Sequence, residues 1–176
     1  MAKATGPTYR VKFRRRRDNQ TNYARRLALL KSGRTRLVIR KTNRQVLVQF
    51  VNFGEKGDST VCSANSANLA KFNWPAKRNL PTAYLTGLLA GKSALKKGVK
   101  DALLDSGLST PSKSSLLFGA LRGVVDSGVT VPHGEELVDE ARLKGTHMDA
   151  YAKAKGKSAA IVAEFEKVKK AIMAGG

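Results

Sequence analysis

From Met1 to Arg44 the chain carries 15 Lys and Arg residues against a single acid, Asp18. A section this unbalanced cannot be folded into an interior, because each unpaired cation removed from water costs several kcal/mol. Cations without an acidic partner are therefore expected to face outward, wherever in the 176-residue chain the core is built. The remainder holds 18 basic and 12 acidic residues, so most of the net charge of +20 sits at one end. Such concentrated positive potential acts over about a Debye length, ~8 Å at physiological salt, and suits a polyanion. Nucleic acid is the first candidate partner and a membrane surface the second.

Within the basic section, Met1 to Arg17 shows no periodicity that would build a core. It reads as an extended arm that orders on its partner. Arg10, Lys12, Arg14, Arg15, Arg16 and Arg17 place six cations in eight positions, with Tyr9 and Phe13 interleaved. Guanidinium groups fork onto phosphates and stack on unpaired bases, and aromatic rings add stacking surface. A solvated tail or a localisation signal is the plainer alternative for such a run. Asp18 and Asn19 then offer an N-cap for a helix from about Gln20 to Ser32, ended by Gly33. Tyr23, Leu27 and Leu30 fall on one side of it, and Arg25 and Arg26 project away from that stripe.

A β meander follows, with strands over Thr35 to Lys41, Gln45 to Phe53 and Asp58 to Ala64. Their short connections require antiparallel pairing. Leu37 and Ile39 share one face of the first strand, and Arg36 and Arg40 share the other. From Ser66 the pattern turns helical: a short segment to Phe72, a longer helix from Thr82 to Lys97, and another from Ser114 to Ser127 closed by Gly128. Asp101 to Asp105 has the length of a buried strand, with continuation of the preceding helix as the alternative, and Val129 to Pro132 is extended. A terminal helix from Ser158 to Ala174 sets Ile161, Phe165, Val168 and Ile172 on one stripe. Strands followed by helices, with a late strand between two helices, imply an α/β or α+β domain. That stripe suits either the chain's own core or a neighbouring protein.

Several functions find no support. The lone cysteine, Cys62, can form no intrachain disulfide and reads as a small buried apolar residue. No apolar run reaches the ~20 residues that span a bilayer, and the N-terminus lacks the apolar stretch of a signal peptide. Gly6-Pro7 and the lack of serine before Ser32 argue against a transit peptide. Gly87-Leu88-Leu89-Ala90-Gly91-Lys92-Ser93 has three residues between its glycines where a phosphate-binding loop needs four, so a tightly packed helix is the better reading. Asp58, Asp101, Asp105 and Asp126 are the acids a metal-dependent nuclease would need, but the first strand carries none, and solvated or capping roles fit them better. His133 and His147 have no metal-ligand spacing. The residues therefore indicate neither catalytic group, metal nor cofactor. An RNA-processing enzyme and a basic peripheral membrane protein are the competing readings of the charge.

The sequence Tyr9-Arg10-Val11-Lys12-Phe13-Arg14-Arg15-Arg16-Arg17, followed by Thr21-Asn22-Tyr23-Ala24-Arg25-Arg26-Leu27, resembles the archaeal and eukaryotic branch of large-subunit ribosomal protein family eighteen. Thr42-Asn43-Arg44, Ala83-Tyr84-Leu85-Thr86-Gly87-Leu88-Leu89, and Phe118 to Asp126 running on to Pro132-His133 extend the resemblance in order across most of residues 9 to 133. A chain ending at Gly176 accords with the shorter archaeal form. The resemblance implies a non-enzymatic constituent of the central protuberance of the cytoplasmic large ribosomal subunit. Its implied partners are 5S rRNA, the large rRNA and neighbouring ribosomal proteins, with no membrane or small-molecule substrate. The implied fold is a mixed sheet with packed helices, related in topology to ribonuclease H. Three sections are expected: residues 1–33 as RNA-binding arm and helix, 34–132 as an α/β core, and 133–176 as a helical extension. The expected RNA contacts are Tyr9, Arg10, Lys12, Phe13, Arg14, Arg15, Arg16, Arg17, Asn22, Tyr23, Arg25 and Arg26. Arg34, Arg36, Arg40, Asn43 and Arg44 would widen the footprint from the meander.

Overall fold

Alternating apolar positions and short turns produce the expected meander. In the computed structural model, which describes residues 6–75, 77–134, 138–156 and 160–175, it comprises β1 (Arg36–Lys41), β2 (Val46–Asn52) and β3 (Ser59–Asn65). Both pairings are antiparallel, and the register sets Leu37 opposite Phe50 and Ile39 opposite Val48. Partner positions share a face, so these side chains line one side of the sheet together with Val46, Cys62 and Ala64. A fourth strand, β4 (Leu103–Asp105), returns through a helix and lies parallel to β1, giving the order β3-β2-β1-β4. Beyond it, Thr130 bridges Asp101 in parallel, with Ala102 N–H donating to Thr130 O at 3.0 Å. The class is therefore α/β with a mixed sheet, as expected.

Two helices cover the apolar face. Asn79 caps α3 (Leu80–Lys96) by accepting from the Thr82 N–H at 2.9 Å, and Gly98 at φ +80 follows its end. Packed beside it is α4 (Leu116–Asp126). The two approach so closely that a Cβ on Gly123 would lie 2.1 Å from Tyr84 O, and one on Gly87 would lie 2.0 Å from Ala120 O. The Gly87–Ser93 segment is thus the interior of a packed helix, with Gly87 and Gly91 both buried against α4 or the turn after it. Tyr84 donates to Asp126 Oδ2 at 2.8 Å across the same interface, and Asp126 also pairs with Arg122. Burial and that hydrogen bond push the Tyr84 phenol well above its ordinary range.

The C-terminal section closes the other side of α3. It comprises α5 (Glu140–Lys144), α6 (Thr146–Ala154) and α7 (Ile161–Gly175). Phe165, Val168 and Ile172 of α7 are buried with Tyr84, Leu85 and Leu88 of α3, with Leu69 of a 3₁₀ helix (Ser66–Phe72), and with Trp74 and Leu143. The apolar stripe of α7 therefore packs on this chain's own core. Phe165 sits between Trp74 and Tyr84 at ring-centroid distances of 6.4 and 5.4 Å. Burial of each such large side chain contributes ~1.5–3 kcal/mol. Covered on both sides, α3 is buried nearly all round. The expected α7 start at Ser158 lies outside the described residues.

The N-terminal section differs from expectation in two places. Arg14–Arg17 forms a single helical turn, α1, so the arm is not extended throughout. Arginine is a good helix former, and the turn ends where Asn19 adopts φ +50. The next helix, α2 (Tyr23–Leu30), is shorter than the expected Gln20–Ser32. Its cap is Asn22 rather than Asp18 or Asn19, with Oδ1 accepting from the Arg25 N–H at 3.2 Å.

The α3–α4 contact yields a direct test. In an open helix Gly123→Ala would gain ~1 kcal/mol of helix propensity. Here the added methyl meets backbone that cannot swing aside, and overpacking of this kind costs ~1–3 kcal/mol. The variant should lose ~2 kcal/mol, read as a lower urea midpoint. An unchanged or higher midpoint would contradict the close approach.

Candidate nucleic-acid interface

The second face of the sheet carries Arg36 and Arg40, and their environments settle what each can do. Arg36 is only 3% exposed. Its Nη2 lies 2.7 Å from Asp58 Oδ2, and its Nη1 donates to Asp105 Oδ2 at 3.2 Å. Arg36 is thus withdrawn from the surface, contrary to its expected place among the RNA contacts. Two carboxylates surround it because a buried guanidinium without them would be prohibitive. Asp58 and Asp105, singled out by residue type as metal or solvated acids, are spent on this pairing. Among the described residues, no group of three or more His, Cys, Asp or Glu side chains is placed to hold a metal ion.

The network runs outward from Arg36 in both directions. Arg26 of α2 forks both oxygens of Asp58 through Nη2 at 2.9 and 3.0 Å. On the other side, Arg40 donates to Asp105 Oδ1 at 3.1 Å and to Asp105 O at 2.7 Å. The Gly107 N–H also donates to Asp105 Oδ1, and the Gly107 carbonyl accepts from Arg25 Nη1 at 3.2 Å. Gly107 sits at φ +59, where a Cβ would come 2.9 Å from Arg40 Cζ, so glycine lets the guanidinium lie against the turn. The polar contacts of Arg25 and Arg26 thus fasten α2 to the body of the protein. The apolar stripe is only partly covered: α2 has no fully buried residue, Tyr23 and Leu30 are half-buried, and Leu27 is 56% exposed. A sequence pattern registers apolar spacing, but it cannot register acids contributed from Asp58 and the turn after β4.

The remaining expected contacts are at the surface. Arg10, Lys12, Arg14, Arg15, Arg16 and Arg17 are exposed, as are Arg34, Asn43 and Arg44. Among the described residues, no carboxylate lies within ion-pair distance of Arg10, Arg14, Arg16 or Arg17, whereas Arg34 Nε is 3.7 Å from Asp101. Phe13, 71% exposed, meets Tyr23 edge-on at 5.2 Å between centroids. Tyr9 and Val11 are exposed nearby in sequence. Asn43 and Arg44 lie at the β1–β2 hairpin, whose turn is tied by Thr42 Oγ1 accepting from the Gln45 N–H at 3.0 Å. Arg15, Asn22, Arg25, Arg26 and Arg40 converge on one polar cavity. Gln20, Thr21, Asp105, Gly107 and Leu108, none of them expected, also line it. The Asp105-Ser106-Gly107 turn signature was the one local clue to that side of the cavity.

Comparison with known proteins agrees with this basic, non-catalytic surface. Residues 7–103 match the family described as ribosomal large subunit proteins 60S L5 and 50S L18. Among curated relatives named large ribosomal subunit protein uL18, that of Natronomonas pharaonis is 52% identical over 85% of this chain and 82% of its own length. The Metallosphaera sedula relative is 50% identical over 85% and 77%, and that of Halobacterium salinarum is 45% identical over 97% and 98%.

Asp105 makes the network sensitive to acid. Burial pushes its carboxyl upward, but Arg40, the Gly107 N–H and Arg36 outweigh that and hold it below its ordinary value of 3.8. A folded-state value below the unfolded one means that the contribution is present above the unfolded value and lost as pH falls through the folded one. Removing one partner from a buried ion pair costs ~3–5 kcal/mol. Because Asp58 remains beside Arg36, Asp105→Asn should sit at the low end, ~3 kcal/mol at pH 7. The gap from the parent protein should begin to narrow below about pH 4, where the carboxylate of the unfolded chain takes up its proton, and should close only at lower pH, as the folded protein's own Asp105 is protonated. Urea denaturation at the two pH values measures both.

Proposed function

We propose that this chain, which belongs to the family of ribosomal large subunit proteins 60S L5 and 50S L18, binds 5S rRNA and helps attach it to the large rRNA in the central protuberance. It is a structural constituent of the large ribosomal subunit, not an enzyme. The observation that carries the RNA-binding reading is the division of labour among its arginines, and the family membership is what points that reading to 5S rRNA. Arg10, Arg14, Arg16 and Arg17 face solvent without a carboxylate partner among the described residues, while Arg36 is buried between Asp58 and Asp105 and consumed in holding the structure. A cation that remains unpaired on the folded protein is free to displace counterions from a phosphate backbone.

The mechanism is electrostatic capture followed by docking. Arg10, Lys12 and Arg14 to Arg17 supply the long-range attraction and the first phosphate contacts. The exposed Phe13 ring, braced against Tyr23, offers a base a stacking surface at the foot of the arm. Arg34, Asn43 and Arg44 extend the footprint along the first strand and its hairpin. Residues 1–33 serve as the RNA-binding section, 34–132 as the core that mounts it, and 133–176 as the helical buttress of α3. Neighbouring ribosomal proteins would meet the surfaces that the RNA leaves open.

Neutralising ~6 phosphates should cost ~10³ or more in affinity between 50 and 200 mM salt. Deleting residues 1–17 removes no buried side chain among the described residues, so the far-ultraviolet circular dichroism of the core should be retained. Affinity for 5S rRNA at moderate salt should fall sharply, with a shallower salt dependence. Unchanged affinity at moderate salt would refute the role of the arm.

A further inference from the structure

We infer that the polar cavity between α1, α2 and the turn after β4 is a socket for one phosphate group, and that a single backbone phosphate of the bound RNA fills it. The inference rests on the RNA-binding reading above, but it adds a built site to what would otherwise be a diffuse basic surface. The cavity measures about 130 Å³. That is well below the ~300 Å³ at which pockets begin to hold drug-sized molecules, and it suits a small anion.

Four guanidinium groups line it, and they arrive from three elements: Arg15 from α1, Arg25 and Arg26 from α2, and Arg40 from β1. Each is fixed by a different acceptor. Arg15 Nε donates to Thr21 Oγ1 at 2.9 Å, Arg25 to Gly107 O, Arg26 to Asp58 and Arg40 to Asp105. A guanidinium has five N–H donors, and these contacts leave donors over on every one of the four. The lone acid in the lining, Asp105, is already shared between Arg36, Arg40 and the Gly107 N–H. The cavity therefore holds a surplus of positive charge on side chains that are already immobilised. Such preorganisation cuts the ordering cost of binding, and forked, charge-assisted hydrogen bonds favour a phosphate oxygen pair.

The consequence is positional. The arm's exposed arginines can slide among neighbouring phosphates, whereas a socket admits one and fixes the register of the RNA against the sheet. Its floor depends on Gly107, because only glycine leaves room for Arg40 there.

The test uses the full chain in two arms. In the first, inorganic phosphate is titrated at constant ionic strength while thermal stability is followed. Phosphate should raise the Tm of the parent above that seen with chloride, and Arg25→Gln should abolish the increment. In the second, single backbone positions of 5S rRNA are neutralised by methylphosphonate substitution. One position should weaken binding to the parent roughly tenfold or more, the size expected of a charged hydrogen bond, and have no effect on Arg25→Gln. Arg16→Gln, a change in the arm, should weaken binding yet keep that position sensitive. Arg15→Gln provides a second variant on an exposed residue, should Arg25→Gln perturb α2. Equal Tm in phosphate and chloride would overturn the socket. Phosphate stabilisation without a variant-dependent backbone position would overturn its occupation by RNA and assign it to free phosphate. Loss of all 5S rRNA binding by the parent would instead remove the RNA reading while leaving the first arm to judge the socket.

Discussion

The buried guanidinium of Arg36 is the constraint around which the functional half of this protein is arranged. A cation at 3% exposure requires carboxylates close by, and the fold brings Asp58 from just before β3 and Asp105 from the end of β4 to it. Each carboxylate has capacity beyond Arg36, and that capacity is filled by Arg26 and Arg40. The result is an alternating row, Arg26–Asp58–Arg36–Asp105–Arg40, crossing from α2 to the edge of the sheet. It stabilises α2 without any fully buried apolar residue on that helix, which leaves Phe13, Tyr23 and Leu27 at or near the surface. Charged contacts therefore join the half-buried Tyr23, Leu29 and Leu30 in attaching the basic arm to the core.

The opposite side of the sheet is organised by a different physical device. Small residues let α3 and α4 approach until backbone meets backbone, and α7 then seals α3 from behind. The resemblance motifs Ala83 to Leu89 and Phe118 to Asp126 lie in these two helices, so the family's signature there coincides with the close packing of α3 on α4. The motifs of the arm and α2 describe the basic surface and its fastening. These two groups of motifs map onto the two jobs of the molecule, holding a rigid core and presenting cations from it.

Much of the architecture was legible because it follows from periodicity. The meander, the long α3 and the stripe of α7 all came from apolar spacing and turn residues, with small shifts of boundary, whereas the late strand was legible only as a short apolar segment and its parallel pairing with β1 was not. The arginines were legible as a class, since charge asymmetry needs no structure. Their individual roles were not. Arg36 and Arg40 alternate with Leu37 and Ile39, a pattern that promises an exposed polar face, yet Arg36 is buried by acids far away in sequence. Arg25 and Arg26 were read as facing away because a stripe reports where apolar side chains lie, and here α2 is fastened by its polar contacts. The αL turn at Gly107 depends on tertiary partners in the same way, since Arg25 and Arg40 both lie against it.

The central claim is that the section from Tyr9 to Arg26 meets 5S rRNA in the assembled particle. Ultraviolet crosslinking of intact large subunits, followed by identification of the RNA attached to each peptide of this chain, tests it most directly. The account predicts that peptides from residues 9–26 carry 5S rRNA nucleotides and that peptides from α7 carry none. Peptides 9–26 attached only to the large rRNA, or 5S rRNA attached only to the C-terminal helices, would contradict it.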